Sequence, residues 1–134
     1  MPDCIFCEII KGSIPSKTFF EDDEVIAFLD INPTAKGHSL IVPKNHFNLI
    51  YDPSEDKIGK VFKSVSKVSK LIRDKLECDG FNLLVNQGKL AGQEVDHFHI
   101  HIIPRYKGDG IHLFPAHIDI KDDEMKNIWN KLKE

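Results

Sequence analysis

A chain of 134 residues with a formal net charge of −3 can bury one core without disulfide staples, and its mild negative charge gives no field that would gather nucleic acid or an anionic membrane. No apolar run reaches the ~18 residues that cross a bilayer, and MPDCIFCEIIKG lacks the basic region and long apolar run of a secretory signal. The three cysteines are an odd number with two only three apart, which suits a reducing compartment and metal binding better than a disulfide framework, so the expectation is one soluble, cytoplasmic domain over 1–134.

In chain order, CIFCEII carries apolar residues at short helical spacing and stops at Gly12, a plausible helix end. KTFFE and VIAFLD are apolar runs joined by Glu21-Asp22-Asp23-Glu24 and read as a hairpin. DINPTAKG is a turn or loop by composition. HSLIVP is a third strand, ended by Pro43. Ser54 is a good N-cap for the clearest helix, with Glu55 and Asp56 suited to its positive start. Ile58, Val61, Phe62, Val65, Val68, Ile72 and Leu76 then recur at three- and four-residue steps on one face, and Asp79-Gly80 closes the helix. FNLLVN is a strand, NQGKLAGQEV a glycine-bearing loop and DHFHIHIIP a strand. A tail from 107 ends in a short helix where Met125, Ile128, Trp129 and Leu132 share a face. Strands and helices do not alternate as βαβ units, so the class is α+β with a mainly antiparallel sheet of about five strands.

HFHIHIIP, residues 97 to 104, puts His97, His99 and His101 on one face of an extended segment and Phe98, Ile100 and Ile102 on the other. The apolar half is ordinary core. The imidazole half has three readings. A plain polar surface would set three rings in register that repel each other when charged. One metal on all three conflicts with a rise of ~3.3 Å per residue, which separates the outer two by ~13 Å. A phosphate-ester site uses the titration of imidazole near neutral pH, with one neutral ring as nucleophile and others donating to phosphate. The preceding loop favours the last, since Gly88 and Gly92 allow close backbone approach and Asn86 and Gln93 offer amides.

HFHIHII resembles the His-x-His-x-His-x-x signature, with apolar x, of the histidine triad family of nucleotide hydrolases and transferases. NQGKLAGQEVDHFHIHIIPR and CIFCEIIKGSIPSKTFFEDDEVIAFLDINPTAKGHSLIVPKNH are similar to its Hint branch, so the resemblance covers about 4–106. It implies a nucleotidyl-histidine mechanism with His99 as nucleophile, its other nitrogen held by the backbone carbonyl of His97. It also implies phosphate contacts from His101 and Asn86, a place for Gln93 near the bridging atom, and a further polar contact from His38, with Gly92 and Glu94 beside the substrate. Asp30 falls where the family binds both ribose hydroxyls, a fit for a carboxylate acceptor. Phe6, Ile9, Ile14, Phe28, Leu29 and Ile31 fall where it lines the base pocket. Glu94 departs from the family, which has Ser or Thr there; a carboxylate repels phosphate if ionised, serves as a general acid if its pKa is raised, or points away from the site. The implied ligand is a purine nucleoside phosphoramidate or related conjugate, and the implied assembly is a homodimer. A dinucleoside polyphosphate hydrolase and a zinc-containing nucleotide-binding module are the rival functions.

Cys4-x-x-Cys7 has short-range chelate spacing, against a plain reading of two small buried residues. It needs two more ligands, and His46 and His97 are candidates. Zinc-bearing members of the superfamily use positions that match these four, which implies a structural zinc tying the N-terminus to the triad. Cys78 reads as packing, and His112 and His117 as surface residues.

Overall fold

The structure is a computed structural model in which residues 4–134 are described. Over these residues the elements are α1 (Ile5–Lys11), β1 (Thr18–Glu21), β2 (Val25–Leu29), β3 (Ser39–Pro43), α2 (Glu55–Leu76), a 3-10 turn (Lys89–Ala91) that follows β4 (Gly80–Leu84), β5 (Ile100–Arg105) and α3 (Asp122–Lys133). The strands form one antiparallel sheet in the order β1-β2-β3-β5-β4. The α+β class and the roughly five-strand antiparallel sheet expected from the sequence are both present.

Alternation along each strand sorts side chains between two cores. Val25, Ala27, Ile41, Phe98, Ile100 and Ile102 face α2, where Val61, Val65, Val68 and Ile72 meet them. Ile26, Phe28, Leu40 and Val42 face the other way, onto Cys4 and Phe6 of the N-terminal segment. The helix covers only one side because its apolar residues share one face; Phe62 and Leu76, at the stripe's margin, stay 38% and 41% exposed. The small α1 does the complementary job on the other side. It starts at Cys4, whose sulfur accepts the Cys7 N–H, and stops at Gly12 in the left-handed region.

Two boundaries differ from expectation. The strand read over 96–104 is paired in the sheet only from Ile100, so His97 and His99 precede the ladder. Their facing still follows the strand pattern, because Phe98 is anchored by its N–H to the Phe47 carbonyl at 2.6 Å and fills the α2 core. The long helix ends at Leu76, with Glu77 in a left-handed cap, and Gly80 begins β4 instead of closing the helix. The last helix forms, but none of its residues is buried: Met125, Ile128, Trp129 and Leu132 all share an exposed face. Its sequence periodicity is real, but its apolar face does not join this chain's core.

None of the described helices is long and apolar enough to cross a membrane. Phe98 is fully buried and stacks on Phe47 with ring centroids 5.2 Å apart. We predict that Phe98→Ala lowers unfolding stability by about 3–5 kcal/mol in urea titration, whereas a loss below ~1 kcal/mol would show that this ring does not organise the sheet beneath the histidines.

Candidate active site

The end of the β2–β3 hairpin places the first polar pair. Asp30 follows β2 and His38 precedes β3, and the Asp30 N–H donates to the His38 carbonyl at 2.9 Å. Their side chains therefore project from adjoining positions, with His38 Nε2 3.5 Å from Asp30 Oδ2. His101 lies next to them because β5 pairs with β3 and sets His101 opposite Leu40.

Hydrogen-bond partners assign the ring protons one after another. His38 Nδ1 accepts the Thr34 backbone N–H at 3.0 Å. A backbone N–H can only donate, so the neutral His38 ring carries its proton on Nε2. That proton points at His101 Nδ1, 3.0 Å away. His101 then carries its own proton on Nε2. His99 is set independently: its Nδ1 donates to the His97 carbonyl at 2.7 Å, which leaves the Nε2 lone pair free. The two rings consequently offer different chemistry, a lone pair from His99 and an N–H from His101. Their centroids are 5.1 Å apart, and Phe6 packs edge-on against His99 at 5.0 Å.

A cleft of about 580 Å³ opens beside these rings. It gathers His99, His101, His38, Asp30, Asn86, Gly92, Glu94, Phe6, Ile9, Ile14, Phe28, Leu29 and Ile31. Within this group Phe6 and Phe28 are buried, while Ile31 is 89% exposed and forms rim. Asn86 and Gly92 are neighbours, with Asn86 Nδ2 donating to the Gly92 carbonyl at 3.5 Å. Gly92 has φ +98°, a backbone conformation that residues with a side chain rarely adopt. A second hollow of about 440 Å³ lies between β1 and the end of α2, but its lining is mostly apolar and contains neither a histidine nor a carboxylate.

Gln93 and His97 do not line the cleft. The Gln93 side chain is buried and fully engaged: its Nε2 donates to Asn48 Oδ1 at 2.6 Å and the Val95 carbonyl at 3.0 Å, and its Oε1 accepts from the Gly88 N–H at 2.8 Å. It therefore braces the loop between β4 and β5 from within, where the sequence reading expected it near the reacting bond.

His97 turns to the opposite end of the row. Its Nε2 donates to the Pro43 carbonyl at 2.8 Å, so Nδ1 is the lone-pair nitrogen. That Nδ1 lies 3.0 Å from His46 Nδ1, 3.3 Å from Cys4 Sγ and 3.6 Å from Cys7 Sγ, and Cys7 Sγ is 3.3 Å from His46 Nδ1. The four ligand atoms lie within 4.8 Å of one another, and Cys4, Cys7, His46 and His97 could hold a metal ion. Burial pushes His97 down to about 4, so its ring is neutral at pH 7, as a metal-bound imidazole must be.

Several of these partners have no signature in the sequence. The Thr34 N–H, the Pro43 carbonyl and the Asn48 amide fix ring tautomers or loop shape through the backbone or over long separations. Lys17, Ser16, Asn32, Leu40 and Val95 also line the cleft, and residue type alone does not distinguish them from ordinary surface or core.

The HIT domain profile matches residues 11–108. The chain belongs to the HIT domain family. A HIT family protein of Bacillus subtilis, solved by crystallography, is 43% identical over 98% of this chain and 95% of its own, with a TM-score of 0.89. The adenosine 5'-monophosphoramidase HNT1 of Candida albicans is 38% identical over 98% of this chain and 90% of its own length. A zinc-bound histidine triad family protein of Mycobacterium smegmatis is 30% identical over 98% of this chain and 96% of its own, with a TM-score of 0.77. The HIT signature thus coincides with the rings whose tautomers the fold sets.

Burial, reinforced by the neighbouring His99 and His38 rings, pushes His101 down to about 4. An imidazole with a folded pKa below its unfolded 6.5 stabilises the fold fully above pH 6.5. The unfolded chain then takes up protons first as pH falls, so the contribution is lost between 6.5 and about 4. We predict that His101→Gln flattens the fall in stability over this window, by up to about 1.4 kcal/mol for each pH unit. Parallel acid profiles of the two proteins in urea titrations would contradict the buried neutral ring.

Proposed function

We propose that this HIT protein hydrolyses purine nucleoside phosphoramidates, or related nucleoside monophosphate conjugates, through a nucleotide carried on His99. The free Nε2 lone pair of a ring fixed at Nδ1 is the single observation that carries this reading. Its sequence relationship to a monophosphoramidase supports the choice of bond.

In the first step His99 Nε2 attacks the α-phosphorus. The N–P bond to the ring forms as the P–N bond to the amine breaks, and the departing nitrogen takes up a proton. In the second step water adds to phosphorus, loses a proton, and releases the ring together with the nucleoside monophosphate. A neutral imidazole needs no separate base to expose its lone pair. The His97 carbonyl accepts from Nδ1–H throughout and favours the positive charge the ring acquires on phosphorylation. His101 Nε2–H, and amide donors such as Asn86, suit the non-bridging phosphate oxygens.

Asp30 would accept from the ribose hydroxyls, and the apolar end formed by Phe6, Ile9, Ile14, Phe28, Leu29 and Ile31 would hold the base. Phe6 touches the nucleophile and the base end at once, with its ring 5.9 Å from Phe28 and 5.0 Å from His99.

The metal that fits the four-ligand cluster is zinc. Two thiolates and two imidazoles are its usual structural donor set, and bonds of ~2.0–2.3 Å give tetrahedral edges of about 3.3–3.8 Å. When bound it would supply a cross-link and no chemistry at phosphorus. Cys4 and Cys7 would thereby be tied to His97, whose carbonyl orients His99. The HIT protein would act as a cytoplasmic homodimer on free nucleotides, without a nucleic-acid or membrane partner.

We predict that His99→Ala reduces phosphoramidate hydrolysis by at least about a thousandfold while leaving the thermal unfolding profile intact, and that a His99-linked nucleotide is trapped from wild type by rapid acid quench and mass spectrometry. Turnover by the variant close to wild type would refute the nucleophile. Separately, protein as purified should contain about one equivalent of zinc by elemental analysis. Replacing Cys4 and Cys7 by Ser should remove it and lower the melting temperature; an unchanged zinc content would show that the ion sits elsewhere.

A further inference from the structure

Cys4 and Cys7 sit in unlike settings within one cluster. Cys4 precedes α1 and is buried; its Sγ accepts the Cys7 N–H at 3.4 Å and lies 3.3 Å from His97 Nδ1. Cys7 is only partly buried, and its Sγ is 3.3 Å from the ring of exposed His46. The two sulfurs are within 4.8 Å of each other. One sulfur is therefore open to a small oxidant, and the second is close behind it. Cys78, just beyond α2, is buried and is not part of this cluster.

Phe6 connects the two thiols to the cleft. It stands between them in the sequence and is the one buried residue of α1. Its ring packs edge-on at 5.8 Å from His97, 5.0 Å from His99 and 5.9 Å from Phe28. With Ile5 and Ile9 of the same helix it lines the cleft. His97 makes a second connection, because its ring meets the sulfurs while its carbonyl accepts from His99 Nδ1. The start of α1 thus carries two metal donors and a wall of the cleft on one stretch of backbone.

We propose that Cys4 and Cys7 are a peroxide-sensitive modification site, whose oxidation to a disulfide gives up the metal, unties α1 from His97 and weakens nucleotide binding through Phe6. This rests on the zinc and nucleotide readings above and adds a means of control to them. The Cys7 thiolate attacks one oxygen of hydrogen peroxide; the S–O bond forms, the O–O bond breaks and hydroxide leaves. The Cys4 thiolate then attacks the Cys7 sulfur; the S–S bond forms, the S–O bond breaks and a second hydroxide leaves. Two thiolates lose two electrons in all, and the peroxide gains them. The sulfurs must close to ~2.05 Å, and once joined they are no longer thiolate donors. Only His46 and His97 then remain of the four ligands, half of a structural zinc set.

The test treats the full chain, reduced and as purified, with hydrogen peroxide. It follows free thiols, zinc released to a chromogenic chelator, the disulfide by peptide mass mapping, and the Kd of adenosine monophosphate by calorimetry. Peroxide should remove the thiols of Cys4 and Cys7 and spare Cys78, with zinc released in step. The Kd should rise by at least about tenfold, the worth of one buried phenylalanine side chain. A thiol reductant with added zinc should restore both zinc content and affinity, and Cys78→Ser should respond as wild type does. Phe6→Ala should keep its zinc, bind the monophosphate more weakly before treatment, and lose little more on oxidation. A Cys4–Cys7 disulfide that leaves the Kd unchanged, or zinc retained throughout, overturns the proposal while the nucleotide reading stands. Protein purified without zinc overturns the metal reading together with the proposal. Reduced, zinc-loaded protein that fails to bind the monophosphate overturns the nucleotide reading together with the proposal.

Discussion

The hydrogen bond from His99 Nδ1 to the carbonyl of His97, 2.7 Å long, is the constraint on which the site depends. An imidazole is symmetrical enough that either nitrogen can carry the proton, and only one choice leaves a nucleophilic atom facing the cleft. A carbonyl two residues back cannot move without moving the segment itself. That segment is pinned by Phe98 in the α2 core and by the His97 ring against the Pro43 carbonyl. Packing on one face of the chain thereby determines proton position on the other.

Three histidines in a row end up with three duties because each has a different second partner. His97 meets two sulfurs and another imidazole, His99 meets a carbonyl, and His101 meets the His38 proton. Burial also keeps His97 and His101 neutral well below physiological pH, so the repulsion that argues against a row of charged imidazoles does not arise. The cluster with Cys4, Cys7 and His46 makes the first ring a tie to α1. It links the helix that covers the cleft side of the sheet to the residue whose carbonyl holds His99 Nδ1.

Much of the frame was legible in the sequence because it depends on periodicity and caps. Ser54 caps α2 and the three-four spacing of its valines reaches the core as read; Gly12 ends α1. The triad was legible for the same reason, since alternation survives even where the ladder does not begin until Ile100. What spacing could not reveal were contacts made through backbone atoms across the chain. The Thr34 N–H on His38 and the Pro43 carbonyl on His97 depend on neither side-chain type nor local pattern. Nor does the sequence announce that the Gln93 amide holds Gly88, Asn48 and Val95 together, since those contacts form through the fold of the loop. The Met125–Leu132 face of α3 shows that helical periodicity predicts a helix without saying what covers it.

The proton on His99 Nδ1 is observed directly by nitrogen-15 NMR of histidine-labelled protein near pH 7. The expected result is His99 Nδ1 protonated, strongly hydrogen-bonded and slow to exchange, with Nε2 showing the shift of a bare pyridine-type nitrogen. A His99 ring protonated on Nε2, or one averaging between tautomers, would contradict it.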